Sequence, residues 1–242
     1  YFVIDGGWFG EFKLFENTIY ASEKHAADLN LNEYGIYMPS KTYFPNGFKE
    51  IIDLVHENGL KMGLHVMRGI PRKAVEMNLP IKGTNFKAGD IADKVNICTW
   101  NSQNYGVDMS KPGAQEWYNS LFEEFASWGL DFVKVDDVTG YPDELLAVAE
   151  AIENSGREMI YSLSPGGSNY FPDLPYYKRA NMLRITRDIW DRQDDIDKGF
   201  DAWKIYEGIA YPGFWPDSDM IPFGKLQLMS PAEYNSIEQN VA

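Results

Sequence analysis

Asp136 stands next to last in the segment Trp128-Gly-Leu-Asp-Phe-Val-Lys134-Val-Asp136-Asp137, in which charged and apolar residues alternate. Side chains alternate faces along a strand, so Phe132, Lys134 and Asp136 share one face and Val133 and Val135 the other. The valine face suits a helix layer. An ammonium one pleat below a carboxylate holds it ionised, the state a nucleophile requires. The same spacing also suits a buried structural ion pair, and spacing alone leaves the two readings even. Asp137 points away from Asp136 and reads as structural or capping.

Two further clusters carry carboxylates. In Met182-Leu-Arg184-Ile-Thr186-Arg187-Asp188-Ile-Trp190, Arg184, Thr186 and Asp188 share a face if strand geometry persists to Asp188. Arginine behind and tryptophan beside a carboxyl can poise it between ionised and neutral forms, as a general acid/base requires; a surface Arg–Asp pair is the plain alternative. Trp215-Pro-Asp217-Ser-Asp219-Met220 sets two carboxylates beside an indole. Carboxylates bind hydroxyls through charge-assisted hydrogen bonds and tryptophan stacks on a pyranose face. An acidic turn or a divalent-cation site would use the same residues.

The elements that must position these groups are short β-rich runs alternating with segments of helical period. The runs are 1–5, 61–67, 131–136, 159–163, 182–186 and a shorter one near 208–211. Phe48, Ile51, Ile52 and Val55 form one apolar helical stripe, Trp117, Leu121, Phe125 and Trp128 a second, and Leu145, Val148, Ala149 and Ile152 a third. Gly59, Gly129 and Gly156 follow them in the position of helix C-terminal caps. Ser230-Pro-Ala-Glu233 has the form of a capping box. Strand–helix–strand order calls for a parallel sheet, doubly wound or closed. Asp5, His65, Asp136, Ser164, Asp188 and Asp217 fall at or just past the C-terminal ends of successive strands, which favours the α/β (β/α)8 TIM barrel. No glycine-rich nucleotide-binding turn occurs. About six strands are counted where a closed barrel needs eight, so residues 1–242 read as one partial catalytic domain whose first and last strands lie outside it.

Composition narrows the partners. With 22 basic and 36 acidic residues the formal charge is -14, which repels nucleic acid and anionic membrane surfaces and leaves a neutral substrate as the better fit. Cys98 is the single cysteine, so no intrachain disulfide forms, and no Cys/His spacing suits zinc. No apolar run approaches the roughly 18 to 20 residues of a membrane span, and YFVIDGGW lacks the features of a signal peptide.

In this order the clusters resemble glycoside hydrolase family 27, the α-galactosidases and α-N-acetylgalactosaminidases. The matching segments are Trp128–Asp136, Arg184–Ile189, Gly213–Met220, Ile4-Asp5-Gly6-Gly7-Trp8 and Gly59–Gly63. The resemblance implies a (β/α)8 catalytic domain followed by a β-sandwich outside this chain. It also implies no metal or other cofactor, and retaining hydrolysis with Asp136 as nucleophile and Asp188 as acid/base. Asp5, Trp8, His65, Trp100, Lys134, Ser164, Arg184, Trp215 and Asp217 are then the substrate-binding candidates, the partner a terminal α-galactoside or α-N-acetylgalactosaminide, and the compartment secreted or periplasmic.

Four departures from the family pattern bear on the substrate. Gly6 replaces the second aspartate of a pair that binds the galactose 4- and 6-hydroxyls. His65 stands where the family usually has an active-site tyrosine. Ser164 occupies the position that is glutamate in α-galactosidases and serine in α-N-acetylgalactosaminidases. The long excursion 68–106 carries Trp100 in Cys98-Thr-Trp100-Asn101, placed either to fold over the pocket or as a plain surface insertion. A sugar-binding protein that has lost catalysis is one rival reading. Another is a metal-dependent barrel using Asp5, Asp136, Asp188 and Asp217, which Lys134 makes electrostatically awkward.

Overall fold

A computed structural model of the chain describes residues 1–11, 29–165, 171–190 and 192–220; the capping-box segment 230–233 lies outside them. The chain divides into two compact units, Tyr1–Tyr161 and Ser162–Ala242.

The first unit runs β1 (Phe2–Ile4), α1 (Lys49–Glu57), β2 (Met62–Met67), β3 (Ile70–Pro71), α2 (Arg72–Glu76), α3 (Ala88–Ile91), β4 (Ala92–Ile97), β5 (Asn104–Val107), α4 (Ala114–Trp128), β6 (Phe132–Asp136) and α5 (Pro142–Asn154). β7 (Ile160–Leu163) begins in it and ends in the second unit. β1, β2 and β6 pair in parallel, with Ile4 opposite Leu64, His65 opposite Lys134 and Met67 opposite Asp136. Parallel register puts residues of one level on one face. Val133 and Val135 are buried, as a helix-facing row should be, while Lys134 is half-buried.

The three apolar stripes are helices. α1 buries Ile52 and Val55, α4 buries Trp117, Leu121 and Phe125, and α5 buries Leu145, Val148, Ala149 and Ile152. Beyond α4 the chain turns at Gly129, φ 91°, where the Gly129 N–H donates to Ala126 O and the Leu130 N–H to Phe125 O. This is the left-handed cap that the glycine after each stripe predicts. Gly63 has a different reason: a Cβ there would meet the Phe132 side chain of the facing strand at 2.8 Å.

The excursion 68–106 is structured. β3, β5 and β4 form an antiparallel sheet in that order, with α2 and α3 between β3 and β4. It left no periodic signal because β3 has two residues, one of them Pro71, and β4 (ADKVNI) has no buried residue to mark alternation.

In the second unit Ser162 and Leu163 of β7 pair with β8 (Met182–Arg184), reached through the short α6 (Leu174–Tyr177); α7 (Gln193–Ile205) then leads to β9 (Trp215–Asp217), parallel to β8. The last described strand is therefore not at 208–211, where the chain turns at Gly208 (φ 79°) and Tyr211 stacks on Phe214. Pro216 hid it: a strand with a central proline reads as a loop, yet proline is tolerated where a strand pairs on one side, as β9 does among the described residues. Among the described residues no helix is long and apolar enough to cross a membrane.

Candidate active site

In the first unit four candidate residues converge at the C-terminal ends of β1, β2 and β6. Asp5 follows β1, His65 lies in β2, Lys134 faces His65 from β6, and Asp136 ends β6 one pleat higher. The His65 Nε2–H donates to Asp136 Oδ2 at 3.3 Å, and Nδ1 of the same ring lies 3.8 Å from Asp5 Oδ1. The Lys134 ammonium is 3.7 Å from Asp5 Oδ1.

Lys134 thus pairs directly with Asp5, and the direct side-chain partner of Asp136 is His65, a departure from the pairing along one strand that alternation suggests. Alternation fixes a residue's face; which neighbour it reaches depends on the adjacent strand's register. Asp136 is buried, which pushes its pKa up, yet the hydrogen bond and charge of His65, then Lys134 and the Asp137 N–H, hold it below the usual carboxylate value. Asp5 is also lowered: desolvation by its neighbours opposes the shift, and His65, Lys134 and the Gly6 N–H outweigh it.

Asp137 pairs with Arg68, a partner that no local spacing in the sequence marks. Its residue adopts φ 62°, its N–H donates to Asp136 Oδ1 at 3.0 Å, and its carboxylate accepts from Arg68 Nη2 at 2.8 Å. The buried Arg68 also pairs with Glu144, which accepts from the Tyr118 hydroxyl and the Val107 N–H, and its guanidinium lies 3.4 Å over the Tyr141 ring. The Arg68 N–H donates to Asp136 O at 2.9 Å. This network fixes the backbone on which the Asp136 carboxylate stands. Burial raises the pKa of both Asp137 and Glu144 despite Arg68.

Trp8 is not on a sugar-facing surface. Its ring is buried among Phe9, Tyr37, Phe48, Phe125 and Trp128, and its Nε1–H donates to His65 O at 2.7 Å. It holds the strand that carries His65. Trp100 lies in the turn before β5 and is exposed.

The second unit holds the other candidates. β8 ends at Arg184, so Thr186 and Asp188 lie beyond it, and the Thr186 hydroxyl donates to Ser218 O. The buried Arg184 guanidinium bridges Asp188 Oδ1 at 2.6 Å and Asp219 Oδ2 at 2.8 Å. Asp188 is open to solvent, while burial raises the pKa of Asp219 above the usual carboxylate value against the Met220 N–H, Arg184 and the Ile189 N–H. Asp219 therefore shares Arg184 with Asp188, a link that the Asp-x-Asp spacing did not reveal. Asp217 accepts the Asp219 N–H at 2.9 Å, and Trp215 on β9 is exposed. Ser164 is buried, and its hydroxyl has no hydrogen-bond partner among the described residues.

A family model described as "Alpha galactosidase A" matches residues 95–237, a span that contains both Asp136 and Asp188. Another, described as "Glycosyl hydrolases family 31 TIM-barrel domain", matches residues 19–160. A solved structure of a family 27 β-L-arabinopyranosidase variant from Geobacillus stearothermophilus, in complex with arabinose, is 39% identical with a TM-score of 0.84; the match covers 92% of this chain and 53% of that one. The chain belongs to glycoside hydrolase family 27. An α-galactosidase of Oryza sativa subsp. japonica is 26% identical over 217 residues, 87% of this chain and 43% of the relative. An α-N-acetylgalactosaminidase of Gallus gallus is 25% identical over 213 residues, 80% of this chain and 43% of the relative. The chain spans about half the length of these family 27 relatives. The fold class is that of a (β/α)8 barrel, to which its parallel strands belong.

Proposed function

We propose that this family 27 chain carries the catalytic centre of a retaining glycosidase acting on terminal sugars of α-D-galactopyranoside configuration. Asp136 attacks the anomeric carbon while Asp188 protonates the departing glycosidic oxygen; Asp188 then draws a proton from the water that releases the sugar. The observation that supports this most is the state of Asp136: buried at a strand's C-terminal end, yet held ionised by His65 and Lys134. The residues read as binding the sugar are Asp5, His65 and Lys134 beside Asp136 in the first unit, and Ser164, Arg184, Trp215 and Asp217 in the second. Double displacement requires the two carboxyl groups about 5 to 5.5 Å apart; a gap of roughly 6.5 to 9.5 Å would belong to an inverting enzyme.

A second reading concerns the sugar. β-L-Arabinopyranose has the ring configuration of α-D-galactopyranose and lacks only the C5 hydroxymethyl group. Gly6 removes a carboxylate that the family pattern devotes to the 4- and 6-hydroxyls, and the structural relative at 39% identity is a β-L-arabinopyranosidase. Both points favour a pentopyranoside, whereas Ser164 favours the α-N-acetylgalactosaminide.

The test is hydrolysis of p-nitrophenyl α-D-galactoside, β-L-arabinopyranoside and α-N-acetylgalactosaminide by the full-length protein and its Asp136→Asn variant. Turnover of one or more substrates, with retained anomeric configuration and none in the variant, is expected. An Asp136→Asn protein that keeps wild-type activity would refute the nucleophile assignment.

A further inference from the structure

We infer that His65 is a positioning residue for the nucleophile: as an imidazolium it bridges Asp5 and Asp136, and its proton is coupled to the charge that Asp136 loses when the glycosyl-enzyme forms. The inference rests on the reading of Asp136 as nucleophile.

The geometry isolates the ring. His65 is buried and Trp8 anchors its backbone carbonyl. Nε2–H reaches Asp136 Oδ2, while Nδ1 is buried without a hydrogen-bond partner among the described residues and faces Asp5 Oδ1 at 3.8 Å, the range of an ion pair. The charged groups of the first unit that face it are Asp5 after β1 and Lys134 and Asp136 on β6. Beyond Asp136, Asp137 is already matched to Arg68, which also serves Glu144, and burial and then Asp137 push the Cys98 thiol up to about 12, so it stays neutral. The immediate set is thus two carboxylates against one ammonium, and a proton on His65 balances it.

Glycosyl transfer changes that count. An electron pair of Asp136 forms the bond to the anomeric carbon, the bond to the leaving oxygen breaks, and that oxygen takes the proton of Asp188. The ester carries no charge, so Asp5 and Lys134 now balance without an imidazolium. His65 can then release its proton to water and loses the acceptor that oriented it. Hydrolysis restores the carboxylate and the demand for the proton. A phenol in this place would donate a hydrogen bond to Asp136 but would bring no positive charge, because it is neutral until about pH 10.

The experiment uses the full-length protein with α-galactosyl fluoride and β-L-arabinopyranosyl fluoride. Fluoride departs without a proton from Asp188, so any fall in kcat/KM at higher pH reports a different group. Wild type should show such a fall. His65→Gln should lack it and lose about tenfold or more in kcat, with KM changed by less than about threefold. His65→Tyr should recover part of kcat without restoring the fall. A His65→Gln profile with the wild-type limb and rate, or a change confined to KM, overturns the inference. Asp136→Asn separates the two layers: an active variant sinks the nucleophile reading itself, whereas a dead variant beside a normal His65→Gln protein sinks only the role of His65. If His65→Gln does not fold, NMR titration of the wild-type imidazole decides. Its midpoint should fall in Asp136→Asn, and an unmoved midpoint overturns the coupling.

Discussion

Replacing Arg68 with methionine keeps an unbranched apolar stem and removes the cation that, among the described residues, faces both Asp137 and Glu144. In the folded chain Glu144 and Arg68 side chains are 5% and 2% exposed, so nothing but protein surrounds the charge that remains. Breaking a buried ion pair from one side costs about 3 to 5 kcal/mol, because the partner is left charged and unpaired. With a urea dependence of about 3 kcal/mol per molar, the unfolding midpoint should drop by about 1 to 1.7 M at pH 7. The pH dependence carries the finer test. Burial already lifts both acids above their usual pKa, and without Arg68 they rise further. The folded variant then holds protons that the unfolded chain, with carboxyls near 4, has released. Its stability falls as pH rises from about 4 to 7, so the deficit against wild type is largest at pH 7 and shrinks in acid. The double variant Arg68→Met, Glu144→Leu should recover about half the loss, since an apolar replacement removes the unpaired charge. Urea unfolding followed by tryptophan fluorescence at pH 5 and pH 7 measures all of this. A midpoint shift below about 0.3 M at pH 7, or a deficit that grows in acid, would refute the assignment of Arg68 as the charge that holds this network.

Asp131 just before β6 accepts from the Met62 N–H, Arg157 and His56, and these together hold its pKa below the usual value although burial opposes them. Asp131→Asn should cost about 2 to 3 kcal/mol at pH 7, a fall of roughly 5 to 10 °C in Tm. A depressed carboxyl contributes stability above its unfolded pKa and loses it as pH drops through the folded value, so calorimetry should show the two proteins converging in acid. Gly63→Ala puts a Cβ 2.8 Å from the Phe132 ring and 2.9 Å from its Cβ, which cannot swing aside. A loss of about 1 to 3 kcal/mol is expected, with lowered kcat because the displaced strand carries Lys134 and Asp136; unchanged thermal melting would count against the close strand approach.

How much of this was legible depended on the range of the interaction. Face assignments were legible, because periodicity is local: Val133 and Val135 are buried, and the stripes on α1, α4 and α5 point inward. Trp8 was misplaced because a tryptophan beside an active-site motif is equally apt for stacking on a sugar and for filling a core; only the five rings around it decide. β9 was missed because Pro216 masks a strand that pairs on one side among the described residues, and the β3–β5–β4 sheet because β3 has only two residues and β4 has no buried residue to mark alternation. Arg68 and Glu144 stand 76 residues apart and share no motif, so their pairing belongs to tertiary structure alone.

The charge pattern around Asp136 shows why those long-range pairings matter for chemistry. Read along β6, Lys134 is the obvious partner of Asp136, two residues away on one face. In the parallel sheet the nearer neighbours lie across strands: His65 is opposite Lys134, Asp5 follows the strand beyond, and Lys134 turns to Asp5 while His65 takes Asp136. An ammonium is a permanent charge at neutral pH, and an imidazole is one only when protonated. Had Lys134 alone served Asp136, the nucleophile would sit in a field that the reaction cannot alter. On the proposed reading of Asp136 as nucleophile, a proton on His65 between the two carboxylates is a compensating charge that leaves when Asp136 becomes an ester and returns when water restores it. On the same reading Lys134 remains for Asp5, whose carboxylate must stay ionised through both halves of the reaction if it is to hold a sugar hydroxyl.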